Sequence, residues 1–193
     1  MFNEVYYRCL QKKIYKKGDY FLEAVQPEHI EKIRQWRNEQ MVVLRQTKPI
    51  SKEEQIQYYE EYVWPGLTSQ TPSQILLSYK YKKELIGYGG LVNISWRDKK
   101  AEMSFLLNGN RPNVKEVYRK DMTNFIYLIK DVCFDQLSFK RLFTETYEFR
   151  YFHIEILNEN KFCEEARVRR HNCIENKYHD LIIHSIIKND FAQ

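Results

Sequence analysis

Few side chains in this sequence have both the chemistry and the setting for work on a substrate. Glu102 lies in Ala101–Leu107, an alternating stretch, so it shares a face with Ser104 and Leu106. A carboxylate there is either half of a salt bridge or a proton acceptor. His184 stands between Ile183 and Ser185 in another apolar stretch. An imidazole titrating near about 6.5 suits proton transfer, and it suits a hydrogen-bonded core or rim position equally well. Arg37 and Arg45 offer guanidinium forks for a phosphate or carboxylate. Trp36 beside them offers a flat face for a sugar or a base. The plainer reading makes Trp36 core and both arginines surface ion pairs. Trp96, at the end of a further apolar stretch, is placed in the same way.

Other chemistries are excluded on spacing. Cys163, His171, Cys173 and His179 form no tight chelate pair, so no metal is expected. Cys9 has no framework partner, and Cys133 falls in an apolar helical pattern that predicts a buried thiol. The first residues are polar and charged, unlike a signal peptide. No apolar run approaches a membrane span. A reducing cytoplasm is the expected location, with no membrane partner. The net charge of +5 comes from 31 basic and 26 acidic residues spread along the chain. The densest basic spots are Tyr15–Gly18 and Arg167–Arg170. They read as a solvated face, or as attraction for a phosphorylated small molecule. No basic stripe or nucleic-acid motif is present, so nucleic acid is not an expected partner.

The elements that must hold these residues follow from periodicity. Residues 1–18 read as an N-terminal extension, packed on the domain or loosely held, and 19–193 as one domain. Tyr20–Val25 alternates like a strand, and Pro27 opens a helix carrying Ile30, Ile33 and Arg37. Ser51-Lys-Glu-Glu54 is a capping box that starts a second helix. Trp64–Pro72 reads as a loop. Three antiparallel strands follow at Ser73–Tyr81, Glu84–Trp96 and Ala101–Leu107, since their connections are too short for crossovers. Met122, Phe125, Ile126, Ile129, Cys133 and Leu137 recur at three and four, marking one long buried helix over Glu116–Leu137. Then come a strand at Arg141–Tyr147, a helix at Tyr151–Asn160, and a hairpin of strands at Cys163–Ile174 and Tyr178–Ile187. A strand–helix–strand unit inside an antiparallel set predicts a mixed α/β sheet of about seven strands.

This order, together with four stretches, resembles the GNAT superfamily of N-acetyltransferases. The similarity is to the branch containing ribosomal-protein and amino-sugar acetyltransferases. The stretches are Ile33-Arg-Gln-Trp-Arg-Asn38 with Arg45, Leu85-Ile-Gly-Tyr-Gly-Gly90, Ala101–Leu107, and Arg141 to His184 with Phe162 and Tyr178-His-Asp180. None is specific alone; their order and spacing carry the resemblance. The resemblance implies an acetyl-CoA-dependent enzyme with no metal. Phe105, Leu106 and Leu107 would pair with the pantetheine arm where the family's fourth strand splays from its fifth. Glu102 would be the base, with His184 as the other candidate. Trp36, Arg37, Asn38, Arg45 and Trp96 would border the acceptor cleft.

Two stretches depart from the family pattern. The pyrophosphate loop usually reads Gln/Arg-x-x-Gly-x-Gly/Ala, whose glycines bring N–H groups close to phosphates at a helix start. The corresponding stretch is Asn110-Arg-Pro-Asn-Val-Lys-Glu-Val117, without glycine. Arg111 would supply the basic lead, Asn113 a glycine-like turn, and Val114 and Lys115 the remaining contacts. A reshaped loop, weaker binding and no binding all stay open. In the helix after the fifth strand, Arg150 stands where the family places Asn, and Leu157 where it places a proton-donating Tyr. Lys161 replaces the usual Gly before Phe162. Arg150 and His153 would contact CoA, and the leaving thiolate needs no donor if its pKa is about 8.5. The expected acceptor is a small amine, an amino sugar or its nucleotide-linked form. A protein N-terminus is the rival acceptor, a GNAT-fold binding protein without catalysis is the rival class, and a homodimer is a possible assembly.

Overall fold

Alternating strands around one long apolar helical stripe must bury two sheet faces, which calls for helices on both sides. The computed structural model describes residues 5–191. Its strands are β1 (Ile14–Lys17), β2 (Tyr20–Ala24), β3 (Ile75–Tyr81), β4 (Glu84–Ser95), β5 (Lys100–Leu107), β6 (Arg141–Tyr147), β7 (Cys163–Ile174) and β8 (Lys177–Ile187). They form one sheet in the order β1-β2-β3-β4-β5-β6-β8-β7. Every pair is antiparallel except β5–β6, which is joined by the long helix. The expected mixed α/β sheet is therefore present.

The main helices are α1 (Ile30–Glu39), α2 (Lys52–Tyr58), α3 (Lys115–Lys130) and α4 (Tyr151–Glu159). The capping box at the start of α2 forms as read: Glu54 N donates to Ser51 Oγ at 3.1 Å, and Ser51 N donates to Glu54 Oε2 at 2.8 Å. The helix then runs on through a π-helical turn, Tyr59–Val63, and a 3-10 turn, Trp64–Leu67, where a loop was expected from Trp64. The apolar stripe of α3 continues through another π-helical turn, Asp131–Gln136.

Each face of the sheet has its own core. Met103 and Leu107 of β5 pack with Met122, Phe125, Ile126 and Ile129 of α3. Leu106 points to the other face, with Ile33 and Trp36 of α1, Tyr59, Leu85 and Tyr88. Burying side chains of this kind contributes roughly 1.5–3 kcal/mol each. Gly89 and Gly90 let β3, β4 and β5 approach closely. A Cβ on Gly89 would collide with the Ser104 carbonyl oxygen and the Phe125 ring, and one on Gly90 with the Ile75 carbonyl oxygen.

The stretch read as an N-terminal extension supplies an eighth strand. β1 pairs with β2 from Ile14↔Glu23 to Lys17↔Tyr20, across a turn at Gly18 with φ of 58°. Tyr7 and Tyr15 are buried against the main core. The lysines around them hide the pattern, because a tyrosine buries its ring as readily as a leucine buries its side chain. Residues 1–4 of that stretch lie outside the described residues.

Candidate functional site

The parallel ladder between β5 and β6 is short. It pairs Lys100↔Arg141, Ala101↔Leu142 and Glu102↔Phe143, and stops there. One further tie closes the apex, Thr144 Oγ1 donating to the Met103 carbonyl at 3.2 Å. Beyond it the strands part around a cleft of about 700 Å³. Ser104, Phe105, Leu106 and Leu107 line one wall, Thr144 and Glu145 the other, and the start of α4 the far end. A strand edge left unpaired by its neighbour offers N–H and C=O groups to an extended ligand.

Glu102 lies at the apex and lines the cleft. The irregularity in β4 between Val92 and Ser95 turns Asn93 to φ 47°, and its Nδ2 donates to Glu102 Oε2 at 2.6 Å. Burial raises the Glu102 pKa above the usual carboxylate range, while the Asn93 hydrogen bond pulls it down. Glu145 raises it further and Arg45 lowers it. A partly desolvated carboxylate poised upward is a better proton acceptor near neutrality than an ordinary glutamate. Arg45, with φ of 56°, reaches from the loop after α1 across the cleft, and its Nη1 donates to Glu145 Oε2 at 2.9 Å.

At the other end, Tyr118, Arg150 and His153 form a cluster. The Tyr118 hydroxyl lies 2.6 Å from His153 Nδ1, and Arg150 Nη2 donates to the Tyr118 oxygen at 3.2 Å. Burial pushes His153 well below its ordinary pKa, and the charge of Arg150 adds to this. The imidazole is therefore neutral, and it shares a hydrogen bond with the tyrosine through Nδ1. Among the described residues no carboxylate pairs with Arg150. Lys115, at the first position of α3, lines the same end, and that helix start has no side-chain cap. Uncapped N–H groups, a lysine and an arginine without a carboxylate partner are what a phosphate requires.

The remaining expected residues divide. Arg111 is committed elsewhere, its Nε and Nη2 donating to the carboxylate of Asp121 at 2.5 and 2.9 Å. Asn113 lines an adjoining depression beside α1, which shares Gln40 and Pro112 with the cleft, and Val114 is exposed at the α3 N-cap. Asn38 holds the loop after α1: its Oδ1 accepts from Ile50 N and Gln46 Nε2, both at 2.8 Å. Trp36 is 7% exposed and packs with Leu106 in the core. Trp96 donates Nε1 to the Pro72 carbonyl at 2.8 Å and stacks edge-on against Phe139, away from the cleft. His184 is fully buried, opposite Thr144 in the β6–β8 ladder, and neither ring nitrogen has a partner among the described residues. It is not part of the cleft wall, so it does not reach an acceptor's proton. Leu157 is core, as its apolar neighbours require.

Sequence reading misses Tyr118, Gln40 and Glu145, which all line the cleft. Tyr118 stands one turn before Met122 on the α3 stripe, where it passes for one more core residue. Arg37 lines a second cavity, of about 250 Å³, on the α1–α2 side of the sheet. Val92 and Ser104 border both cavities. Among the described residues no cluster of three or more His, Cys, Asp or Glu side chains is arranged to hold a metal, and no helix is long and apolar enough to cross a membrane.

Solved structures share this architecture. Spermidine N-acetyltransferase from Vibrio cholerae, in complex with CoA and spermine, superposes with a TM-score of 0.77 at 16% identity, over 92% of this chain and 100% of that one. A chimera of the Vibrio cholerae enzyme SpeG with hSSAT gives 0.77 at 16% identity, over 91% and 99%. A protein described as a putative acetyltransferase gives 0.70 at 14%, over 94% and 89%. At these identities the likeness is one of fold. No curated protein matches the chain. The family model for the acetyltransferase (GNAT) domain matches residues 22–183, from within β2 to within β8, and so takes in both walls of the cleft. The chain belongs to the GNAT family of N-acetyltransferases, whose acetyl donor is acetyl-CoA.

Proposed function

We propose that this N-acetyltransferase acts on the free amine of an amino sugar or nucleotide-linked amino sugar, by direct attack of the amine on the thioester. The observation that carries direct transfer is the parting of β5 from β6 beside a partly desolvated Glu102. Acetyl-CoA supplies an activated acetyl group. The chain's backbone at Phe105–Leu107 suits the pantetheine arm, and Lys115, Arg150 and the start of α3 suit the pyrophosphate. In the reaction the amine nitrogen forms a bond to the acetyl carbon, the carbon–sulfur bond breaks, and the sulfur leaves as thiolate. The amine's proton passes to Glu102, directly or through water. The Tyr118–His153 pair lies in the same cleft, in place of the absent tyrosine at Leu157.

The sugar reading rests on the arginines near the cleft and on the residue resemblance in α1. Trp36 and Asn38 do not add to it, since both are held in structural roles. A polyamine is the second reading, favoured by the carboxylates of Glu102 and Glu145 and by the spermine bound to the Vibrio cholerae neighbour. An acceptor panel at saturating acetyl-CoA, read by thiol release, separates them. Turnover of amino sugars supports the proposal. Turnover confined to spermidine or to peptides replaces it. Acetyl-CoA binding without turnover of any amine leaves a binding protein.

A further inference from the structure

The second cavity is built around a cation. Arg37 projects from α1 into a space of about 250 Å³ walled by Tyr58, Tyr59, Tyr88 and Gln74. Its Nη1 donates to the Tyr88 hydroxyl at 2.8 Å. Among the described residues it makes no ion pair. The carboxylate in this wall, Glu54, is already committed: Oε1 accepts from Lys48 Nζ at 2.7 Å and Oε2 from Ser51 N at 2.8 Å. The Tyr59 hydroxyl is buried and has no hydrogen-bond partner among the described residues. Tyr58 donates to Gln74 Oε1 at 2.9 Å, which leaves the amide nitrogen of Gln74 as a further donor. A half-buried guanidinium beside an unpartnered tyrosine hydroxyl is costly unless something fills their hydrogen bonds.

The cavity is also in the right place. Val92 and Ser104 belong to both cavities, and they lie on β4 and β5 beside Glu102. Glu102 and Ser104 share the sheet face that Arg37 overlies. A molecule seated against Arg37 would thus extend along that face toward the proton acceptor.

We propose that this cavity seats the acceptor, and that Arg37 with Tyr59 selects amines whose carrier bears an anionic group, a phosphate or a carboxylate. This rests on the acetyltransferase reading of the neighbouring cleft, and it narrows the acceptor class by charge. A guanidinium pairs with either oxyanion in a fork, and it repels a polycation. The acceptor is accordingly an amine with a negative charge at a distance from the nitrogen, rather than a polyamine.

The test uses the intact chain with matched acceptors: glucosamine against glucosamine 6-phosphate, glycinamide against glycine, and spermidine as the cationic contrast. Turnover at saturating acetyl-CoA and calorimetric binding in the presence of CoA are both measured. The expected result is a kcat/KM at least tenfold higher for the anionic member of one pair. The pair that responds tells phosphate from carboxylate. Arg37→Gln should collapse that ratio toward one, Arg37→Lys should keep part of it, and Tyr59→Phe should lower it several-fold. Acetyl-CoA affinity and Tm report that each variant is folded, and the wild-type panel stands if a variant is not. Preference for the neutral or cationic amines, with a ratio that Arg37→Gln leaves unchanged, overturns the proposal and leaves the acetyltransferase reading intact. Binding of the anionic amines through Arg37 without turnover supports the seat and overturns the enzyme reading instead. No binding and no turnover of any anionic amine overturns the seat.

Discussion

Arg111 and Asp121 form a two-toothed ion pair, with guanidinium nitrogens 2.5 and 2.9 Å from a carboxylate whose side chain is 1% exposed. Tyr20 donates to the same carboxylate at 2.9 Å, and Tyr79 to the Asp121 carbonyl at 2.7 Å. The arginine that leads the Gly-less loop therefore fastens that loop to α3. It is not held out for a phosphate. Arg150, which lines the cleft with Lys115 of the α3 start, has no such carboxylate partner among the described residues.

The two arginines should separate in experiment. Arg111→Met leaves a buried carboxylate without its partner, which costs about 3–5 kcal/mol. Denaturant unfolding should show that loss. Arg150→Met should leave the unfolding midpoint nearly unchanged and weaken acetyl-CoA binding about tenfold or more, the usual worth of a charge-assisted hydrogen bond. Calorimetric titration with acetyl-CoA measures it.

Glu102→Gln keeps the side chain's size and loses its proton acceptance. The turnover number should fall about 10²–10⁴-fold, with acetyl-CoA affinity held. Because the folded-state pKa is raised, the folded protein binds a proton more readily than the unfolded chain between the ordinary carboxylate range and that raised value. This site's stabilisation is thus greatest in acid and is lost as pH rises through that window. The variant's Tm at neutral pH should equal or slightly exceed the wild type's. The wild-type rate should decline on the acid side at a pH above the usual glutamate range, and that decline should vanish in the variant.

Gly90 has φ of 146°, and a Cβ there would run into the Ile75 carbonyl oxygen on β3. Gly90→Ala should destabilise by about 4 kcal/mol or more, since backbone strain and collision add. Urea unfolding reads this out. A stability loss under about 1 kcal/mol would mean that β3 and β4 separate easily at this point.

Lys130 donates from Nζ to the Asn160 carbonyl at 2.6 Å, and burial lowers its pKa from 10.5 to about 8, with the charges of Lys161 and Lys17 adding. Between those values the unfolded chain binds the proton more readily, so the contribution of this site to stability rises with pH above about 8. Denaturation midpoints from pH 7.5 to about 9.5 should climb more steeply in the wild type than in Lys130→Met. Parallel curves would show that Lys130 stays charged in the folded protein.

Much of the frame is legible in the chain. The α3 stripe, the capping box at Ser51 and the alternation of β5 are local patterns with fixed periods. Each names its element without help from a partner. Glu102 is found for the same reason, because the period of two places it on the face of Ser104 and Leu106. β1 is not legible, since its four residues carry three polar or aromatic side chains and gain their place from pairing with β2.

The site's working assignments are tertiary. An arginine's role depends on whether a carboxylate stands in reach, and sequence spacing does not fix that. Asp121 lies ten residues beyond Arg111, and Glu145 lies a hundred beyond Arg45. The same holds for His184, whose apolar stretch is plain to read while its burial opposite Thr144 is set by the pairing of β8 with β6. The sequence alone determined most of the elements from β2 onward, their order and the carboxylate at the head of β5, because hydrophobic periodicity is a local property. Only the tertiary structure decided which cations stand without a carboxylate among the described residues, because burial and pairing of charge depend on residues brought together from distant parts of the chain.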